Sequence, residues 1–110
     1  MTGETKKCLQ VFVEDCDEYG DEPLYEAIVR FFQKQGVAGA TVFSGIMGYG
    51  ASRRIHKKGL FGVSDERPVV IIAIDEEAKL RSILPGLLPM IKEGLVVLLD
   101  AEVFIRAPGL

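Results

Sequence analysis

Residues 69–74 read Val-Val-Ile-Ile-Ala-Ile, an apolar run with no alternation. A strand with one wet face alternates with period two, so a run like this describes a strand that must be covered on both sides. The rest of the chain has to supply that cover, and it can do so on only one side. Two stretches carry helical periodicity. In residues 23–35 the stripe is Leu24, Ile28, Phe31 and Phe32, widened by Tyr25 and Val29. In the second it is Leu80, Ile83, Leu84, Leu87, Leu88 and Ile91. Two helices packed on one face leave the other bare, and the economical cover is another copy of the chain.

The ends of the helices can be read from their punctuation. Pro23 suits a first helical position and Gly36 a stop. Asp75 is expected to cap the second helix, with Glu76 and Glu77 in the first turn, where the helix dipole favours acids. Pro85 predicts a kink or two short helices, with Pro89 in the first turn of the second segment and Gly94 as the end.

Strands are expected over residues 8–14, 40–44, 68–75 and 95–106. In the first, Leu9, Val11 and Val13 share one face while Cys8, Gln10, Phe12 and Glu14 take the other. In the last, Val97, Leu99, Ala101, Val103 and Ile105 lie opposite Asp100, Glu102, Phe104 and Arg106. The order is strand, helix, strand, long loop, strand, helix, strand. That predicts an α+β, ferredoxin-like βαββαβ fold, a four-stranded antiparallel sheet with two helices on one face and a long loop between strands two and three. At 110 residues the chain is one domain, 1–110.

Composition removes several function classes. The net charge of -3 argues against a nucleic-acid binder, which usually shows a strongly basic face. No apolar run approaches the roughly 18 residues of a membrane span, and the first seven residues are polar, so a cytoplasmic, not membrane-embedded protein is expected. Cys8 and Cys16 lack CxxC spacing and are expected to stay unpaired. Glu14, Asp15, Asp17, Glu18, Asp21 and Glu22 crowd one loop without the order of a calcium loop, and read as a solvated turn.

The candidate chemistry lies in the connection 45–67. Its start, Gly45-Ile-Met-Gly-Tyr-Gly, carries Gly48, Tyr49 and Gly50. Two readings fit: bare backbone that lets a phosphate approach the N–H groups, or a bulged strand exit that needs positive φ. Arg53, Arg54, His56, Lys57 and Lys58 follow as the only concentrated positive charge. Arginine forks suit phosphates, Ser52 could donate to the same anion, and a solvated loop explains the charges equally well. His56 is the single histidine and has no ligand at helix-face spacing and no serine elbow to serve. No metal site and no catalytic residue is therefore assigned, and the protein is not expected to be an enzyme.

Leu-Tyr-Glu-Ala at 24–27, Gly-Val-Ala-Gly-Ala-Thr-Val at 36–42, the glycine-rich stretch at 45–50 and Pro-Val-Val-Ile at 68–71 resemble a family of small, uncharacterised prokaryotic proteins described as PII-like. The likeness covers nearly the whole chain. The segments around Thr41 and Gly48 to Gly50 are also similar to the nitrogen-regulatory PII signal proteins. The resemblance implies a homotrimer that binds an adenine nucleotide in clefts between subunits and docks a transporter or enzyme with its long loop. It adds Thr41 and, from the last strand, Arg106 to the ligand-binding candidates. PII proteins carry a second glycine-rich, lysine-containing loop before the last strand. Here residues 87–94 hold one glycine, so the site must work differently.

Two functions remain. One is a signalling protein that binds a small anionic ligand at Thr41, Gly48, Tyr49, Gly50, Ser52, Arg53, Arg54 and Arg106, with no cofactor required and a mobile loop 45–67. The alternative is a ligand-free structural or partner-docking oligomer.

Overall fold

The computed structural model describes residues 2–50, 56–57 and 67–105, the pair 56–57 by backbone alone. Four long strands form one antiparallel sheet, and two helices cover one of its faces. In chain order the elements are β1 (Glu4–Glu14), a miniature hairpin of β2 (Glu18–Tyr19) and β3 (Glu22–Pro23), and α1 (Leu24–Lys34). Then come β4 (Ala40–Ser44), a short ribbon of β5 (Met47–Gly48) and β6 (His56–Lys57), β7 (Pro68–Asp75), α2 (Glu77–Leu87), a 3-10 turn (Leu88–Met90) and β8 (Leu95–Val103). The sheet order β4-β7-β1-β8 is that of the expected ferredoxin-like fold.

Cross-strand partners share a face, so the register sorts every side chain. Toward the helices, one row runs Val42, Ile71, Val11, Val96 and the next Ala40, Ala73, Leu9, Leu98. Leu24, Ile28 and Phe32 of α1 and Leu80, Ile83 and Leu87 of α2 close over these rows. Leu9, Val11, Ile28, Ile71, Leu80 and Leu87 are shut off from solvent, each contributing about 1.5–3 kcal/mol of burial. On the opposite face the rows run Phe43, Val70, Phe12, Leu95, then Thr41, Ile72, Gln10, Val97, then Ile74, Cys8, Leu99. No helix among the described residues covers them. The unalternating run of β7 thus divides into Val69, Ile71 and Ala73 inside and Val70, Ile72 and Ile74 outside.

Gly36 ends α1 as expected, at φ 81, a left-handed geometry that favours glycine. Val37 N–H bonds back to the Phe32 carbonyl and Gly36 N–H to that of Gln33, the paired bonds of a Schellman turn.

Four expectations need correction. Pro23 precedes α1 with extended geometry (φ -59, ψ 136) and not as its first residue, because it pairs with Glu18 in the hairpin. Asp75 does not cap α2; Glu76 takes that position without a side-chain cap. The two oxygens of Asp75 instead accept from Ala38 N–H at 3.0 Å and Glu76 N–H at 2.7 Å, tying the α1–β4 connection to the start of α2. Pro85 lies within α2, whose turns on either side are anchored in the core by Leu80, Ile83 and Leu87, and does not divide it; the expected second segment with Pro89 in its first turn is the 3-10 turn that starts at Leu88. β1 begins four residues before the expected position 8, since Glu4 to Lys7 pair with Val103 to Asp100, and β8 stops at Val103.

Candidate functional site

The candidate residues begin on β4, the edge strand. Its register places Thr41 and Phe43 on the helix-free face, Thr41 opposite Ile72 and Phe43 opposite Val70. Beyond Ser44 the backbone stays attached to β7, and Gly45 N–H donates to the Pro68 carbonyl at 2.6 Å. A Cβ at Gly45 would stand 2.7 Å from Pro68 Cγ, so this glycine is required by close approach. A Cβ at Gly48 would come within 3.3 Å of the same ring. Pro68 therefore accounts for Gly45 outright and for much of Gly48.

Gly50 is different. Among the described residues a Cβ there would meet nothing within 4 Å, so none of them gives a packing reason for this glycine. Positive φ is confined to Gly20 and Gly36 among the described glycines, which overturns the positive-φ explanation for Gly48 and Gly50. Gly48 lies in the ribbon, opposite His56, and the chain leaves it through Tyr49. Tyr49 is 73% exposed and Ile46 is 81% exposed, an apolar pair standing in water at the root of the connection.

Ser52, Arg53, Arg54 and Arg106 lie outside the described residues, as do Lys58 and the middle of the connection. The candidates that can be placed divide into Thr41 on the sheet and Gly48, Tyr49 and Gly50 on the ribbon and its exit. Sequence reading missed the far end of the same connection. Arg67 N–H donates to Asp15 Oδ1 at 3.0 Å and Asp15 N–H returns a bond to the Arg67 carbonyl at 2.9 Å, so the acidic loop holds the point where the chain re-enters the sheet. No local motif announces such a pairing. Gly94, the one glycine in the region where a second phosphate loop was sought, is consumed by packing, since a Cβ there would stand 2.6 Å from the Phe12 carbonyl.

The electrostatic perturbations gather at the other end of the sheet. Lys7 sits between Asp75 and Asp100 across the strands and donates to Asp100. That hydrogen bond raises the lysine pKa and lowers that of the aspartate. Lys6 is likewise raised, chiefly by its 2.6 Å bond to Glu76, and Glu77 is lowered by Arg81. A groove of about 370 Å³ lies on the helix side, bordered by Tyr19, Phe31, Lys34 and Met90, and none of the candidate residues lines it. No helix among the described residues is long and apolar enough to cross a membrane.

Comparison with known proteins extends the picture. The model of the DUF190 family, described as Uncharacterized ACR, matches residues 6–103. A UPF0166 protein of Methanocaldococcus jannaschii is 33% identical over 99 residues, covering 89% of this chain and 91% of that one. One from Aquifex aeolicus is 36% identical over 98 residues, covering 89% and 92%. Among solved structures, CPII of Thiomonas intermedia K12, described as a nitrogen regulatory PII-like protein and bound to ADP, AMP and bicarbonate, superposes with a TM-score of 0.70. The identity is 22%, and the match covers 91% of this chain and 89% of that one. At that identity the likeness speaks for the fold.

Proposed function

The chain belongs to the DUF190 family of uncharacterised proteins, and from that premise we propose that it is a PII-like signalling protein that binds a small anionic ligand, an adenine nucleotide, between subunits of a cytoplasmic homotrimer. The observation that carries this reading is Gly50. Among the described residues nothing packs against its bare backbone, its φ is outside the left-handed region, and it stands just ahead of Ser52, Arg53 and Arg54 in the sequence. Backbone N–H groups there, with two guanidinium groups following, make a phosphate-sized anion site. The fold shared with CPII, which was solved with ADP, AMP and bicarbonate, supports the choice of nucleotide.

In this proposal Thr41 and Tyr49 border the ligand, Gly48 and Gly50 donate backbone N–H groups, and Arg106 reaches the site from a neighbouring subunit. Contacts made only in the liganded state order the connection 45–67, which then docks a transporter or enzyme. Nothing is proposed as a nucleophile or general base, and no nucleic acid or cofactor is required. Calorimetric titration of the full chain with ATP, ADP, AMP, cyclic nucleotides and bicarbonate tests it; absence of binding by every nucleotide removes the nucleotide reading.

The exposed Ile46 and Tyr49 favour a second reading, in which the loop root is a protein-docking surface and no ligand is needed. Loss of a captured partner on deletion of residues 51–66, with every ligand titration blank, supports that alternative.

A further inference from the structure

The helix-free face is apolar in its middle rows except at two positions of one row, Thr41 at the sheet edge and Gln10 at its centre. Gln10 sits on β1, a central strand, flanked across the ladders by Ile72 and Val97. Phe43 and Leu95, at 53% and 58% exposed, show how much of the surrounding surface remains in water in a single chain. Such a face calls for a cover, and the middle rows offer no charge to a charged partner.

The amide of Gln10 limits what the cover can be. Among the described residues its Nε2 reaches only Cys8 Sγ, at 3.8 Å, a weak acceptor. Covering the face removes water from this amide, and an unsatisfied buried amide costs about 1–3 kcal/mol. The adjoining Ile72 and Val97 can supply neither donor nor acceptor. The cover must therefore present both, at one point, within an otherwise apolar surface. A second Gln10 does so, because a carboxamide is donor and acceptor at once, and a residue near the centre of the face meets its own copies when the symmetry axis passes beside it.

We propose that Gln10 sets the register of self-assembly: the Gln10 amides of neighbouring copies hydrogen-bond to one another across the helix-free face. This rests on the homo-oligomer part of the proposed function and adds the residue that specifies it. Apolar rows alone attract without direction and tolerate sliding, whereas a polar pair in their midst is satisfied in one arrangement.

The test uses native mass spectrometry and light scattering on the full chain, with circular dichroism to verify folding of each variant. Wild type should show one stoichiometry. Gln10→Glu places carboxylates against one another, so assembly should weaken at least about a hundredfold at about pH 8 and return near about pH 6, since burial and like charge raise carboxyl pKa values. Gln10→Leu should still associate but lose its single stoichiometry, and it serves if the glutamate variant does not fold. A wild-type monomer at every concentration overturns the oligomer reading and this proposal with it. A wild-type oligomer whose Gln10→Glu variant assembles equally well at about pH 8, or whose Gln10→Leu variant keeps the same single stoichiometry, overturns the role of Gln10 and leaves the oligomer standing.

Discussion

Gly45 and Pro68 are joined twice, by a 2.6 Å hydrogen bond from the glycine N–H to the proline carbonyl and by a ring that occupies the place of a glycine side chain. The two ends of a connection of more than twenty residues are thus closed on each other before the connection begins. Gly45→Ala would drive a methyl group to 2.7 Å from Pro68 Cγ and 3.2 Å from its carbonyl oxygen. Urea denaturation should show a loss of about 1–3 kcal/mol. A variant as stable as wild type would mean that the loop root yields freely.

Gly50 should behave in the opposite way. With open space around it, Gly50→Ala is expected to leave stability within about 0.5 kcal/mol. ADP affinity, measured by calorimetry, should fall by about tenfold or more through loss of backbone access to the phosphate. Unchanged affinity in a wild type that binds ADP would remove Gly50 from the site.

The crossing of the two helices offers a cycle. A Cβ on Gly86 would meet Phe31 Cζ at 2.8 Å, which explains a glycine inside α2. Gly86→Ala alone should be neutral or destabilising. In a Phe31→Leu background, where the ring is gone, the same change should stabilise by about 1 kcal/mol through helix propensity. Additive effects in thermal melts would contradict the contact.

Asp75 bonds two N–H groups, of Ala38 and Glu76. Asp75→Ala should cost about 1–2 kcal/mol, and Asp75→Asn, which keeps one acceptor oxygen, a smaller part of it. Equal losses from the two variants would mean that the one oxygen asparagine keeps carries none of the effect.

The charged end of the sheet predicts a pH profile. Asp100 and Glu77 are held below their ordinary values of 3.8 and 4.5, so their stabilisation is complete above those values and drains as pH falls through the lower folded ones. Lys6 and Lys7 are held above 10.5, so theirs is complete below that pH and is lost as pH rises through the folded values. Asp100→Asn should flatten part of the acid limb of a Tm-against-pH curve. An unchanged acid limb would show that the pair with Lys7 contributes nothing measurable.

Much of this fold was written locally. The stripes of α1 and α2, the stop at Gly36 and the bounds of β4 and β7 follow from spacing and glycine geometry and are where those predict, save that Leu88, expected in the second stripe, is half exposed because the chain has left α-helical geometry there. Two of the failures share a cause. Asp75 and the first residues of β1 owe their roles to partners distant in the chain, Ala38 for Asp75 and the far end of β8 for Glu4 to Lys7, whereas Pro23 is drawn out of the helix by Glu18 across a short hairpin. For the site, Gly48 resembled a ligand residue by type, and only the position of Pro68 reveals the packing that also claims it. Gly50 survives that comparison.

One consequence follows from β7 itself. Strands usually keep their alignment because a slip by one residue turns an apolar side chain out and a polar one in. In β7 the slip would exchange Val69, Ile71 and Ala73 for Val70, Ile72 and Ile74, oil for oil. An interior strand of the sheet is thus blind to its own phase. What it lacks, the Pro68 ring seated against Gly45 supplies, a mechanical detent at one end of an otherwise frictionless slide.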